Sequence, residues 1–234
     1  MSGALALSFF DPGRQLYGTA RSGATVLFEG RTATAHAEAT RIDETAGGWR
    51  AELPGHFALD LDALGDAASL GPVSARVCRV SGEVEGRRVD CLGTLSETRE
   101  TPHWDELDAL RSISALVDER HAVLALARRP RGAAGHGQEL VWAALIEDGE
   151  LHEVEDARIS TVYDGDGRQR SAGLELWLPG EEYPRRGSGQ AIAGSSLELD
   201  AIRVHVAIFR WRLDGRDGTG AYELMARFEP PVAA

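Results

Sequence analysis

The chain has 234 residues, 43% of them hydrophobic and 26% charged, with a formal net charge of −12 and a pI near 5.0. Such a composition is that of a globular protein, with room for one large β barrel or two domains of about 100 to 120 residues. The acidity argues against a nucleic-acid partner and against an anionic membrane surface, both of which attract concentrated positive charge.

All the basic residues are arginine, and lysine and asparagine are absent, a bias that a GC-rich coding sequence explains. The opening MSGALALSFFDPG lacks a basic leader region and breaks its apolar run early, so a cytoplasmic protein is expected. Short runs of Val, Ile, Thr, Phe and Tyr then recur between turn signals such as Asp11-Pro12-Gly13 and Gly47-Gly48, the pattern of many short strands.

The clearest hairpin runs from Val73 to Arg99 and turns at Glu85-Gly86. Two-residue pairing sets Val80, Val84, Val89, Cys91 and Leu95 on one face and matches Ser81 with Asp90 and Glu83 with Arg88 on the other. Cys78 and Cys91 become diagonal neighbours about 7–8 Å apart, too far for an easy disulfide, so two free thiols are expected. Next, Thr101 as a cap, Pro102 at the first position, Asp105 and Glu106 in the first turn, and Leu107 and Leu110 on one face predict a short helix ending near Arg111. A second hairpin spans Val154 to Leu178 around Asp164 to Gly167. A third pairs Ile202 to Trp211 with Ala221 to Phe228.

The two ends of the chain also echo each other in order. Phe28-Glu29-Gly30 before His36 matches Ile146-Glu147-Asp148-Gly149 before His152, and Trp49 before Leu53-Pro54-Gly55 matches Trp177 before Leu178-Pro179-Gly180. Glu85-Gly86-Arg87 before Gly93 matches Asp214-Gly215-Arg216 before Gly220. The colinear order points to a tandem duplication. The predicted architecture is all-β: an N-terminal half over residues 1–100, a helical linker over 101–111, and a C-terminal half over 112–234.

Ser8-Phe9-Phe10-Asp11-Pro12 with Gly18 and Ala20, and later Phe209-Arg210-Trp211 with Gly218-Thr219-Gly220-Ala221-Tyr222-Glu223, carry a family resemblance. The chain resembles the tandem lipocalin-like proteins related to hydroxyneurosporene synthase, the carotenoid 1,2-hydratase. The resemblance implies two lipocalin-like antiparallel sheets or barrels, a pocket for a hydrophobic small molecule of isoprenoid or polyketide type, and cofactor-independent acid/base hydration, cyclisation or isomerisation. It also suggests Glu223 as an acid, against the plainer reading of an arginine-paired surface carboxylate. The chain is shorter than those hydratases are expected to be.

Among local features, Arg128 to Glu139 is the most unusual, setting arginines, a glycine-rich turn, His136 and Glu139 between two apolar runs. Arg128 and Arg129 are candidates to clamp an acidic group, and His136 with Glu139 to act as acid and base. The alternative is a solvated turn with a basic rim. Arg185 and Arg186 form a second basic loop candidate, His205 a strand histidine that reaches a cavity if its face is interior, and Tyr163, Trp177 and Trp211 aromatic candidates for pocket walls. No His-x-His or His-x-x-x-His spacing, dinucleotide fingerprint, phosphate loop or hydrolase elbow is present, so neither a metal nor another cofactor is expected. Three readings stay open: an enzyme acting on a hydrophobic molecule, a carrier that sequesters one, and an interaction module with filled barrels. Sequence leaves the oligomeric state open.

Overall fold

A computed structural model describes residues 3–21, 23–199 and 201–228, without the side chain of His136. Strands account for most of it. In the first half these are β1 (Ala4–Asp11), β2 (Leu16–Arg21), β3 (Ala24–Glu29), β4 (Thr32–His36), β5 (Arg41–Glu44), β6 (Trp49–Leu53), β7 (Phe57–Ala63), β8 (Ala68–Leu70), β9 (Val73–Val84) and β10 (Arg87–Thr98). The second half holds β11 (Leu107–Asp118), β12 (His121–Pro130), β13 (Leu140–Glu147), β14 (Glu150–Glu153), β15 (Asp156–Tyr163), β16 (Gln169–Trp177), β17 (Arg185–Leu199), β18 (Ile202–Leu213) and β19 (Arg216–Arg227), with one 3-10 turn at His136–Gln138.

The first sheet runs β4-β3-β2-β1-β10-β9-β7-β6-β5, with β8 paired to β9 beside this path; the second runs β14-β13-β12-β11-β19-β18-β17-β16-β15. Strand for strand, the two orders are the same. The repeated sequence signals fall at equivalent turns: Glu85-Gly86 and Asp214-Gly215 both join the last two long strands with positive φ at each central residue, as tight hairpins require. Gly93 and Gly220 are equivalent for a packing reason. A Cβ on Gly93 would stand 2.2 Å from the Ser8 carbonyl oxygen, and one on Gly220 would stand 1.9 Å from that of Ser114.

Each sheet curls around its own apolar interior. Leu7, Phe9, Leu53, Leu59, Leu61 and Val80 fill the first, and Ile113, Leu174, Phe209, Trp211 and Tyr222 fill the second. The outer faces of the central strands then pack together, with Phe10, Tyr17, Val26 and Phe28 meeting Leu116, Leu124, Val206 and Ile208 across the boundary between halves. Each large apolar side chain so buried stabilises the assembly by about 1.5–3 kcal/mol.

The Val73–Arg99 hairpin has the predicted register, with Val80 opposite Cys91 and Asp90 opposite Ser81, and both cysteines are free thiols. The hairpins at Asp164–Gly167 and at Asp214-Gly215 are also as read. Two expectations fail. Residues 101–106 hold only a turn, closed by the Glu106 N–H on the His103 carbonyl at 3.0 Å, and Leu107 to Arg111 begin a strand. The helical spacing of Leu107 and Leu110 arises because β11 is buried on both faces and carries a register shift between Leu107 and Ala109. Arg185 and Arg186 likewise open a 15-residue strand and not a loop. Glycine persists in that strand because a Cβ on Gly189 would stand 2.5 Å from the Trp211 ring.

Gly220→Ala should lower the unfolding free energy by about 1–3 kcal/mol in urea titration, since backbone and not a flexible side chain blocks the new methyl. A loss under about 0.5 kcal/mol would contradict this packing. Burial pushes both thiols up to about 12, against about 8.5 for a free thiol. Native protein at pH 8 should therefore react with a thiol reagent on the order of a thousandfold more slowly than urea-unfolded protein. Above pH 8.5 the unfolded chain loses these protons first, so their contribution makes stability fall as the pH rises toward 12.

Candidate functional site

Where β1, β2, β10, β11 and β19 meet between the halves, the packing leaves a cavity of about 120 Å³. Leu70, Leu110, Leu124 and Leu126 form apolar walls, and Ser8, Thr94, Ser112 and Ser114 contribute hydroxyls. Ser8 and Thr94 share a hydrogen bond of 2.6 Å, while Ser114 Oγ accepts the Ala221 N–H at 3.1 Å. Period-two alternation decides which residues arrive here: Tyr222 and Leu224 point into the second barrel, so Glu223 and Met225 point into the cavity.

Glu223 is buried and forms an ion pair with Arg21, from the end of β2. Arg21 Nη1 also lies 3.1 Å from Met225 Sδ. Burial pulls the Arg21 guanidinium down to about 10. It still carries its charge at neutral pH, so a cation faces the Glu223 carboxyl group. The arrangement is a carboxyl group beside a guanidinium, roofed by apolar residues and hydroxyls.

A second polar assembly fills the end of the C-terminal barrel. Arg111 is 1% exposed, and its Nη1 donates to Tyr222 OH at 3.0 Å and to Thr161 Oγ1 at 3.1 Å. Its Nη2 binds Glu139, which Arg129 Nε also reaches at 3.0 Å. Thr161 and Tyr222 complete the ring through a 2.7 Å hydrogen bond. Burial, partly opposed by Arg111, pushes the Tyr222 phenol up to about 12 and keeps it protonated.

The sequence candidates divide among three places. Glu223 lies in the cavity between the halves. Glu139 and Arg129 join the Arg111 assembly, with Tyr163 at the same end, and Trp211 is fully buried deeper in the barrel, stacked on Phe209 at 5.1 Å. His205 also faces this interior, where Ser196 Oγ meets its Nδ1 at 2.7 Å. Burial, with Arg203 and Arg168 nearby, lowers its pKa and favours the neutral ring. The remainder sit on outer surfaces: Arg128 near Glu106, Trp177 under the Arg158 guanidinium, Arg185 among Glu181, Glu147 and Asp214, and Arg186 beside Glu175. The 3-10 turn places His136 before Glu139, and its side chain lies outside the described atoms. Arg21 and Arg111 escaped the sequence reading because nothing local distinguishes an arginine drawn wholly or partly into the interior from one that is solvated.

No protein-family model and no curated protein sequence matches the chain. Solved structures do. A Nitrosomonas europaea protein described as an AttH superposes with a TM-score of 0.66 at 12% identity, covering 98% of this chain and 94% of that one. CghA in complex with Sch210972 gives 0.61 at 11% identity, with 97% and 89% covered. Kievitone hydratase from Nectria haematococca gives 0.55 at 9% identity, again with 97% and 89% covered. The chain shares the two-sheet, lipocalin-like fold of these proteins over almost its whole length.

Arg111→Met leaves Glu139 short of a buried partner and should cost about 3–5 kcal/mol in urea unfolding, the usual penalty for breaking a buried ion pair. A loss below about 1 kcal/mol would mean that the assembly does not brace this barrel.

Proposed function

We propose that the chain binds a hydrophobic small molecule with its reacting end in the cavity between the halves, and that Glu223 acts there as a general base. The Arg21–Glu223 pair, with its carboxylate buried and its guanidinium partly so, carries this reading. Taking a charge out of water is costly, and a core that needed only stability would be as well served by apolar residues. Leucine walls and interior hydroxyls supply what an apolar molecule with one polar group requires. The fold is shared with a hydratase and with CghA, whose structure contains Sch210972, which supports small-molecule chemistry of this broad kind.

The pairing narrows the chemistry. A carboxyl group ion-paired with Arg21 is less suited to protonating an isolated double bond, the step that the resemblance to carotenoid hydratases suggests. It is suited to removing a proton beside a carbonyl, or from a water adding to a conjugated carbonyl. Arg21 and the Ser and Thr hydroxyls then donate hydrogen bonds to the oxyanion that develops. The cavity volume of about 120 Å³ fits the reacting end alone, so the rest of the molecule must run out along the boundary between halves. Glu139, His136 and His205 belong to the barrel side and have no step in this scheme.

Native mass spectrometry of protein from its own host, followed by extraction, should identify the bound molecule. With that molecule, Glu223→Gln keeps an acceptor for Arg21 and should slow turnover by about 10² to 10⁴-fold with binding nearly unchanged. Wild-type turnover in this variant would remove Glu223 from catalysis. A molecule retained but never converted by the native protein would establish a carrier.

A further inference from the structure

The corner of the first sheet that carries β4, the β6–β7 turn and the β9–β10 turn collects three ligating side chains from distant parts of the sequence. His36 ends β4, His56 follows the Leu53-Pro54-Gly55 turn, and Glu85 opens the β9–β10 turn with φ of 47°. One ligand atom from each lies within 4.8 Å of the others. His36 and His56 have ring centroids 4.0 Å apart, and His56 Nδ1 is 2.8 Å from Glu85 Oε1. The backbone fixes two of the three, since the Glu85 N–H donates to the His56 carbonyl at 2.7 Å. His36 Nε2 is buried and has no hydrogen-bond partner, an imidazole nitrogen aimed at a place where nothing in the protein receives it.

The duplicated half shows what this corner needs. There Leu178-Pro179-Gly180-Glu181 repeats Leu53-Pro54-Gly55-His56, with the same turn hydrogen bond: Glu181 N–H to Leu178 O at 3.1 Å against His56 N–H to Leu53 O at 3.0 Å. Asp214 repeats Glu85. In that half a cation joins the two turns: Arg185 pairs with Glu181 at 2.9 Å and reaches Asp214 at 4.0 Å. In the first half the matching positions carry an imidazole and a carboxylate, with a second imidazole from β4.

We propose that His36, His56 and Glu85 bind a divalent transition metal, with zinc as the best fit, which takes the bridging place that Arg185 holds in the other half. Two imidazoles and one carboxylate are a ligand set that suits zinc and leaves a fourth position for water. Ligand atoms around tetrahedral zinc stand about 3.3 Å apart for bonds of about 2.0–2.1 Å. Rotation of the imidazole rings and of the exposed Glu85 side chain covers the difference from 4.8 Å. The ion would tie the β4 edge to the two turns and close this end of the sheet.

The test uses untagged, chelator-treated full-length protein and zinc alone. Titration calorimetry and elemental analysis after dialysis should show one equivalent, and cobalt(II) should give the visible absorption of a tetrahedral site. His36→Ala, His56→Ala and Glu85→Gln should each weaken zinc binding at least tenfold, while His103→Ala and His152→Ala leave it unchanged, with circular dichroism confirming that each variant is folded. Failure of the native protein to retain zinc and to give the cobalt spectrum would overturn the proposal. So would zinc binding that survives His36→Ala at full affinity. The cobalt spectrum of the native chain decides the matter even if a variant does not fold.

Discussion

Everything in this molecule depends on the burial of its central strands on both faces. β1, β10, β11 and β19 line the interior of a curled sheet on one side and press against the other half on the opposite side. Over its buried stretch such a strand has no solvent face, so a polar residue there must find a partner inside the protein. Arg111, Glu223, Ser8 and Ser114 are such residues, and their partners define the two polar assemblies.

The two assemblies differ in what surrounds them. Around Arg111 the hydrogen bonds link Glu139, Thr161 and Tyr222, with Arg111 Nε left without a partner, and Phe209 and Trp211 belong to the same apolar cluster as Tyr222. Around Glu223 the ion pair borders open volume lined by leucines and by the hydroxyls of Ser8, Thr94, Ser112 and Ser114. The lipocalin-like fold suggests a ligand within a barrel, whereas the cavity that holds Arg21 and Glu223 among leucine walls lies between the halves.

The repeated topology makes the differences between halves informative. Equivalent turns and equivalent glycines meet the same backbone constraint in both halves, since Gly93 and Gly220 yield to the carbonyls of Ser8 and Ser114 in the same way. Where the halves diverge, as at the corners held by Arg185 and by His36, His56 and Glu85, the divergence marks a local choice of chemistry on a common frame.

Sequence alone determined the strands, hairpin registers, free thiols and repeat, because period-two alternation and turn residues are local signals that survive without tertiary context. It misread Leu107 to Arg111 as helix because a strand buried on both faces loses the alternation that identifies it. It singled out Glu139 and Glu223 but could not supply Arg111 or Arg21 as their partners, which lie 28 and more than 200 positions away. Its search for metal ligands by spacing sees only sites built within one segment, whereas His36, His56 and Glu85 come from three. Tertiary structure alone decided these groupings, because the curl of a sheet and the packing of two halves set which distant side chains leave water together.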